Sequence, residues 1–178
     1  LQDEIDIQMG TLSKALASEG RFVAGKRNLV DYLVNKARSF IFSTALAPST
    51  VAVSLKALDI VQTEPQLRQS LEANSVWLRK KLKDTGFTVG DYPTPIISVV
   101  LGSPELTVNF SNRLMEEKIF VSAIRPPTVP QGTSRLRINL MATHTTDDLA
   151  RAVSIMAKIG EGIGILNHSR RNVVANNE

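Results

Sequence analysis

Short apolar runs alternating with longer amphipathic stretches predict an α/β fold for this chain. Three observations carry that expectation. "EIDIQMG" places Ile5, Ile7 and Met9 at every second position and ends in Gly10, the pattern of a short strand running into a turn. "PQLRQSLEANSVWLRKKLKDTG" is a long stretch of helical periodicity that stops at a glycine, Gly86. After it the order is strand, helix, strand, loop, strand, helix, which suits a sheet with helices packed on it.

The elements before Gly86 follow in order. "GRFVAG" is a second strand-like run between Gly20 and Gly25. "KRNLVDYLVNKARSF" carries Leu29, Leu33 and Ala37 on one helical face, and "FIFST" then returns to extended character. Pro48, Ser49 and Thr50 open the next helix, "STVAVSLKALDIVQTE", with Ser49 as its expected cap. The texture changes near residues 60 to 66, which places a boundary there. The first 64 residues hold too few elements to close a core, so they are expected to be the end of a larger domain or to be completed by another chain.

Beyond Gly86, "PIISVVLG" reads as a buried strand and "SPELTVNFSNRLMEEK" as a helix with Ser103 and Pro104 at its start. "IFVSAI" is another strand. "RPPTVPQGTS" must be a loop, because its prolines fix φ and remove backbone donors. "RLRINL" is a strand, "TTDDLARAVSIMAKIGEGIGI" a capped amphipathic helix, and the tail from 167 to 178 is expected to fray. His144, at the entry to that last helix, reads as a capping or packing group.

Composition excludes several classes. The chain has 178 residues, 43% of them hydrophobic, a formal net charge of +4 and no cysteine. Disulfides and thiolate metal sites are therefore impossible, and the two isolated histidines, His144 and His168, cannot build a metal site alone. No apolar run is long enough to span a membrane, and no basic-then-apolar leader opens the chain. A cytoplasmic setting is expected. Basic residues are dispersed among acids and aromatics make up only 5%, so no platform for nucleic acid is indicated.

The segment "MGTLSKALASEG", residues 9 to 20, concentrates chemistry. Lys14 is either an ordinary solvated charge or an amine placed where a carbonyl compound can reach it. Thr11 and Ser13 supply hydroxyls, Gly10 permits close backbone approach, and Ala15, Ala17 and Gly20 leave room for a bulky group. A phosphate and a flat ring beside an amine need such a set, and pyridoxal phosphate has both, with an aldehyde that condenses with amines. On "SRLRINL", Arg135 and Arg137 share one strand face, and either presents a planar fork suited to a carboxylate. In "RPPTVP", the prolines lower the entropy lost when a flap closes, and Thr128 offers a hydroxyl.

"DIQMGTLSKALASEGRFVAG" resembles the cofactor-lysine segment of the α-oxoamine synthases, pyridoxal-phosphate enzymes of fold type I, the aspartate-aminotransferase fold. "FIFSTALAPS", "IRPPTVPQGTSRLRINL" and "ATHTTDDL" resemble the same family in the same order, so the likeness covers the chain to about Leu166. Four ordered motifs weigh against a plain binding domain with a chance "TLSK". The retained lysine weighs against a non-catalytic dimerisation subunit. The family joins a small amino acid to an acyl-coenzyme A, in most members with loss of carbon dioxide.

The resemblance implies the C-terminal part of that fold: residues 1–64 as the end of the large cofactor domain and 65–166 as a small α+β domain. It implies that Lys14 bonds the cofactor aldehyde and carries the proton at the substrate α-carbon. Thr11 would bind the cofactor phosphate, and Ser43 and Thr44 would reach the phosphate from the neighbouring subunit of a homodimer. Arg137, rather than Arg135, would grip the amino-acid carboxylate. Thr128 would bind substrate on the acyl-coenzyme A side, and Arg125 would meet an acyl carboxylate or a coenzyme phosphate. Two positions depart from the family: Ala17 stands where glycine is usual, and Arg21 replaces the second glycine of a pair. The family's aspartate for the pyridine nitrogen, its ring-stacking residue and its glycine-bearing phosphate turn precede the segments matched here, so the chain is expected to be the C-terminal half of such an enzyme.

Overall fold

A computed structural model describes residues 4–166, and the chain divides at Pro65 into two compact units. The tail expected to fray, with His168 in it, lies outside the described residues.

In the first unit, β1 (Ile7–Thr11) and β2 (Arg21–Gly25) form an antiparallel hairpin with Ile7 opposite Gly25 and Thr11 opposite Arg21. Helices α1 (Arg27–Lys36), α2 (Arg38–Ile41) and α3 (Pro48–Thr63) follow. The segment "FIFST", expected to be extended, is a correction: Phe40 and Ile41 are helical. Ala37 is extended and ends α1, but its carbonyl then accepts from the amides of Phe40 and Ile41, and Arg38 sits over the Phe42 ring at 5.4 Å. Wound into a turn, these residues satisfy their backbone groups locally, where a lone strand would leave them without a ladder.

Ser49 does not cap α3. Pro48 occupies the first helical position, where its missing amide costs nothing, so the cap falls on Ala47, which has no side-chain acceptor. Among the described residues of this unit a single side chain is buried, that of Ser54. Its large apolar side chains, including Phe22, Phe40, Phe42 and Leu55, remain exposed. Among its described residues no apolar core closes, as its few elements lead one to expect.

The second unit has a core. Helix α4 (Pro65–Thr85) leads to the strands β3 (Ile96–Gly102), β4 (Ser122–Ile124) and β5 (Ser134–Asn139), with α5 (Pro104–Glu116) between β3 and β4 and α6 (Thr146–Gly162) last. The sheet is antiparallel in the order β3, β5, β4, so β5 is central. Ile97, Val99, Leu136 and Ile138 point to the helical side, and Ser98, Arg135 and Arg137 alternate to the other. Leu71, Ser75, Leu78 and Leu82 on α4, and Thr107, Phe110 and Leu114 on α5, follow the three- and four-residue spacing of one buried helix face. Phe87 and Phe110 stack in a tilted arrangement with centroids 6.0 Å apart.

Helix ends in this unit are held by local chemistry. Ser103 Oγ accepts from the Leu106 amide at the start of α5. Thr145 and Asp148 form a reciprocal capping box on α6. All three helices end in the same pattern: a residue at positive φ donates three residues back and its successor five back. Those residues are Gly86 (φ +105), Gly164 (φ +74) and, on α5, Lys118 (φ +64). His144 is a local packing group here, its Nδ1 accepting from the Met141 amide and its carbonyl from Asn74 Nδ2.

Lys118→Gly is expected to stabilise the protein by about 0.5–1 kcal/mol, because glycine adopts the left-handed conformation without a Cβ penalty. Urea denaturation checks this through a raised midpoint at unchanged slope. Hydrogen bonds from the Thr145 hydroxyl and amide hold the Asp148 carboxyl below the usual carboxylate range. A lowered folded value means that the contribution is present at neutral pH and is lost as pH falls below about 4. Thr145→Ala is therefore expected to cost about 1 kcal/mol at neutral pH and less at acid pH, measured by denaturation at both.

Candidate active site

The Lys14 segment is the nine-residue excursion that joins β1 to β2. The Leu12 amide donates to the Gly20 carbonyl (3.0 Å), closing its neck. The Ser18 amide donates to the Leu12 carbonyl and the Ala17 amide to the Lys14 carbonyl, both at 3.0 Å, folding the stretch back on itself. Thr11 ends β1 opposite Arg21. Lys14, Thr11 and Ser13 are exposed, and among the described residues their side chains make no hydrogen bond or ion pair. An uncommitted amine beside two uncommitted hydroxyls fits an aldehyde-bearing phosphate compound in its donor chemistry.

The two departures from the family pattern acquire a physical content. Ala17 sits at φ +48, the left-handed region in which glycine is unstrained, so this chain meets with some strain a conformation that glycine would adopt freely. Arg21 lines an open groove of about 810 Å³ on the first unit, together with Phe22, Val30, Phe40 and Ser43. Gly20 has φ +101, and a Cβ on it would lie 2.8 Å from Leu46 Cδ1.

Ser43 and Thr44 lie between α2 and α3 in the same unit. Ser43 Oγ donates to the Ser39 carbonyl, which commits its proton, whereas the Thr44 hydroxyl has no partner among the described residues. Ser18 Oγ is 2.7 Å from Ser54 Oγ and 3.1 Å from the Thr50 carbonyl, which docks the Lys14 turn on α3. Sequence reasoning missed this contact. The one available signal was a serine, Ser54, inside the apolar run "VAVSLKAL".

The remaining candidates belong to the second unit. The Thr128 amide donates to the Arg125 carbonyl (3.1 Å), so both lie in one turn of the loop before β5, and both side chains are exposed. Arg137 stands on the central strand opposite Ser98 and Ser122. Strand alternation left Arg135 and Arg137 equivalent, and here they differ. Arg135 Nε donates to the Thr133 carbonyl (2.9 Å), while the Arg137 guanidinium has no partner among the described residues and borders an open groove of about 580 Å³ with Ser122 and His144. No cluster of three potential metal ligands and no helix long and apolar enough to cross a membrane occur among the described residues.

The sequence profile of the aminotransferase class I and II family matches residues 1–156, a span that includes every candidate named above. The chain belongs to that family and carries part of the fold type I architecture. It is 50% identical over 165 residues to an 8-amino-7-oxononanoate synthase of Geobacter metallireducens, a match covering 92% of this chain and 42% of the relative. It is 48% identical over 166 residues to the 8-amino-7-oxononanoate synthase of Lysinibacillus sphaericus, covering 93% and 43%. A solved serine palmitoyltransferase from S. paucimobilis, with a bound PLP–myriocin aldimine, superposes with a TM-score of 0.84 at 27% identity, over 90% of this chain and 41% of that one. The chain thus spans less than half the length of the curated relatives it matches.

Gly20→Ala is expected to loosen the Lys14 turn by at least about 1 kcal/mol, since it combines a left-handed φ with a clash. Ala17→Gly is expected to tighten it. Amide exchange at Leu12, whose N–H closes the neck, reads both: faster in the first variant, slower in the second.

Proposed function

We propose that this chain works as part of a pyridoxal-phosphate-dependent acyltransferase of the α-oxoamine synthase type. It condenses alanine with a pimeloyl thioester, releasing coenzyme A and carbon dioxide, the 8-amino-7-oxononanoate synthase reaction of biotin biosynthesis. The observation that carries this reading is the identity of about half of all aligned positions with two proteins of that name. The uncommitted Lys14 amine with its hydroxyl neighbours supports the cofactor.

When bound, pyridoxal phosphate supplies an aldehyde for an amine and a ring that takes up the electron pair left as a Cα–H bond breaks. The chain's own residues do the rest. Lys14 would hold the cofactor through its aldehyde, and its free amine would accept and return the proton at the α-carbon of the amino acid. Thr11 donates to the phosphate, and the free Thr44 hydroxyl does so more readily than Ser43, whose proton must first leave the Ser39 carbonyl. Those two reach the phosphate of the partner in a homodimer with shared sites. Arg21, on the same groove as Ser43, adds a cation there.

Arg137 fixes the amino-acid carboxylate with its planar fork, each charge-assisted bond contributing about 1.5–3 kcal/mol. Its place on the central strand β5 holds the backbone beneath that fork in a fixed position. Thr128 and Arg125 bind on the acyl-coenzyme A side, where the proline-rich loop excludes water with little loss of entropy.

Thiol release from pimeloyl-coenzyme A with alanine tests the reading. Lys14→Ala is expected to lower the rate by at least about 10³-fold. Arg137→Ala is expected to raise the KM for alanine by about 10- to 100-fold, the equivalent of one charge-assisted hydrogen bond. Turnover of glycine with acetyl-coenzyme A in place of alanine would make the activity that of a glycine C-acetyltransferase. No release with any such pair would point to a non-catalytic dimerisation subunit.

A further inference from the structure

The Lys14 turn is fastened at a point away from the amine. Ser18 Oγ is 2.7 Å from Ser54 Oγ and 3.1 Å from the Thr50 carbonyl, and Ser54 Oγ is 2.9 Å from that carbonyl. Whichever hydroxyl donates to Thr50, the other donates to it, so both protons are used. Ser54 is 7% exposed, which shields this contact from water. At the far end of the turn, Leu46 occupies the space a side chain on Gly20 would need. Between these two anchors Ala17 sits at φ +48, a conformation that alanine leaves readily unless its neighbours are held.

We propose that Ser18 and Ser54 are a positioning pair for Lys14. They fix the Lys14 turn to the first turns of α3, and with Leu46 they make that turn and the Ser43–Ala47 segment one rigid piece. The pair acts through the backbone of residues 12–20 and touches no cofactor atom. Its bearing on reactivity rests on the reading of Lys14 as the amine whose Nζ bonds the cofactor aldehyde carbon, with loss of water. A wandering turn would present that amine in the wrong place and solvate it differently, so the pair sets both the rate of the linkage and its titration.

The test compares Ser18→Ala, Ser54→Ala, the double variant and Ser18→Thr, which keeps the hydroxyl. The first readout is amide exchange at Leu12 and Ser18 without added pyridoxal phosphate. Either alanine variant is expected to speed it about tenfold, with no further gain in the double variant and near-normal exchange in Ser18→Thr. The second is the pH midpoint of the visible absorbance of the Lys14–cofactor linkage, expected to move by about half a unit or more in the alanine variants and to return in Ser18→Thr. Unchanged exchange in both alanine variants overturns the pair. Faster exchange with an unmoved midpoint overturns its influence on Lys14. A protein that shows no visible band before substitution defeats the cofactor reading, and with it that influence, while exchange still decides whether the pair holds the turn.

Discussion

The placement of Lys14 depends on one backbone hydrogen bond, from the Leu12 amide to the Gly20 carbonyl. It closes the neck of the excursion between β1 and β2 and continues the hairpin ladder one step past the Thr11–Arg21 pair. Gly20 reaches it only at φ +101, and Leu46 fills the space its missing side chain leaves. The lysine side chain itself has no partner among the described residues. Its location is therefore a property of backbone geometry and of the Ser18 anchor, which leaves the amine available for chemistry instead of spending it on an ion pair.

The second unit solves the corresponding problem by packing. Arg137 alternates with Leu136 and Ile138, whose side chains are drawn into the core by the helices behind the sheet. With its neighbours buried and its strand central, Arg137 has little freedom in its backbone and full freedom in its fork. Arg135, two residues away on the same face, is tied to the loop through the Thr133 carbonyl. Arg135 is thus engaged locally, while the Arg137 guanidinium has no partner among the described residues. The two units differ in kind: the first, without an apolar core among its described residues, relies on hydrogen bonds and turn geometry, and the second on burial.

Most elements were legible in the residues because their signals are local. Gly86 ends α4, Ser103 caps α5 and Thr145 with Asp148 opens α6, each as its spacing foretells. The hairpin ends were equally plain from the alternation around Met9 and the glycines flanking Phe22. The failures share a cause. "FIFST" is apolar and β-prone, but among the described residues no strand pairs with it, so its backbone pairs with itself in α2. Ser49 has a capping residue's chemistry, yet Pro48 claims the first helical position and moves the cap to Ala47. The Ser18–Ser54 contact joins residues 36 apart, and two hydroxyls carry no periodicity by which to find each other. Strand alternation likewise could not separate Arg135 from Arg137; the resemblance chose Arg137, and the difference in their hydrogen bonding lies in the loop geometry.

In the proposed reading Lys14 forms a bond with pyridoxal phosphate. Borohydride reduction of the protein after mixing with the cofactor, followed by peptide mass mapping, tests it most directly. One reduced pyridoxyl group per chain is expected, on the peptide that holds Lys14. Labelling that is absent, or scattered over many surface lysines, would contradict it.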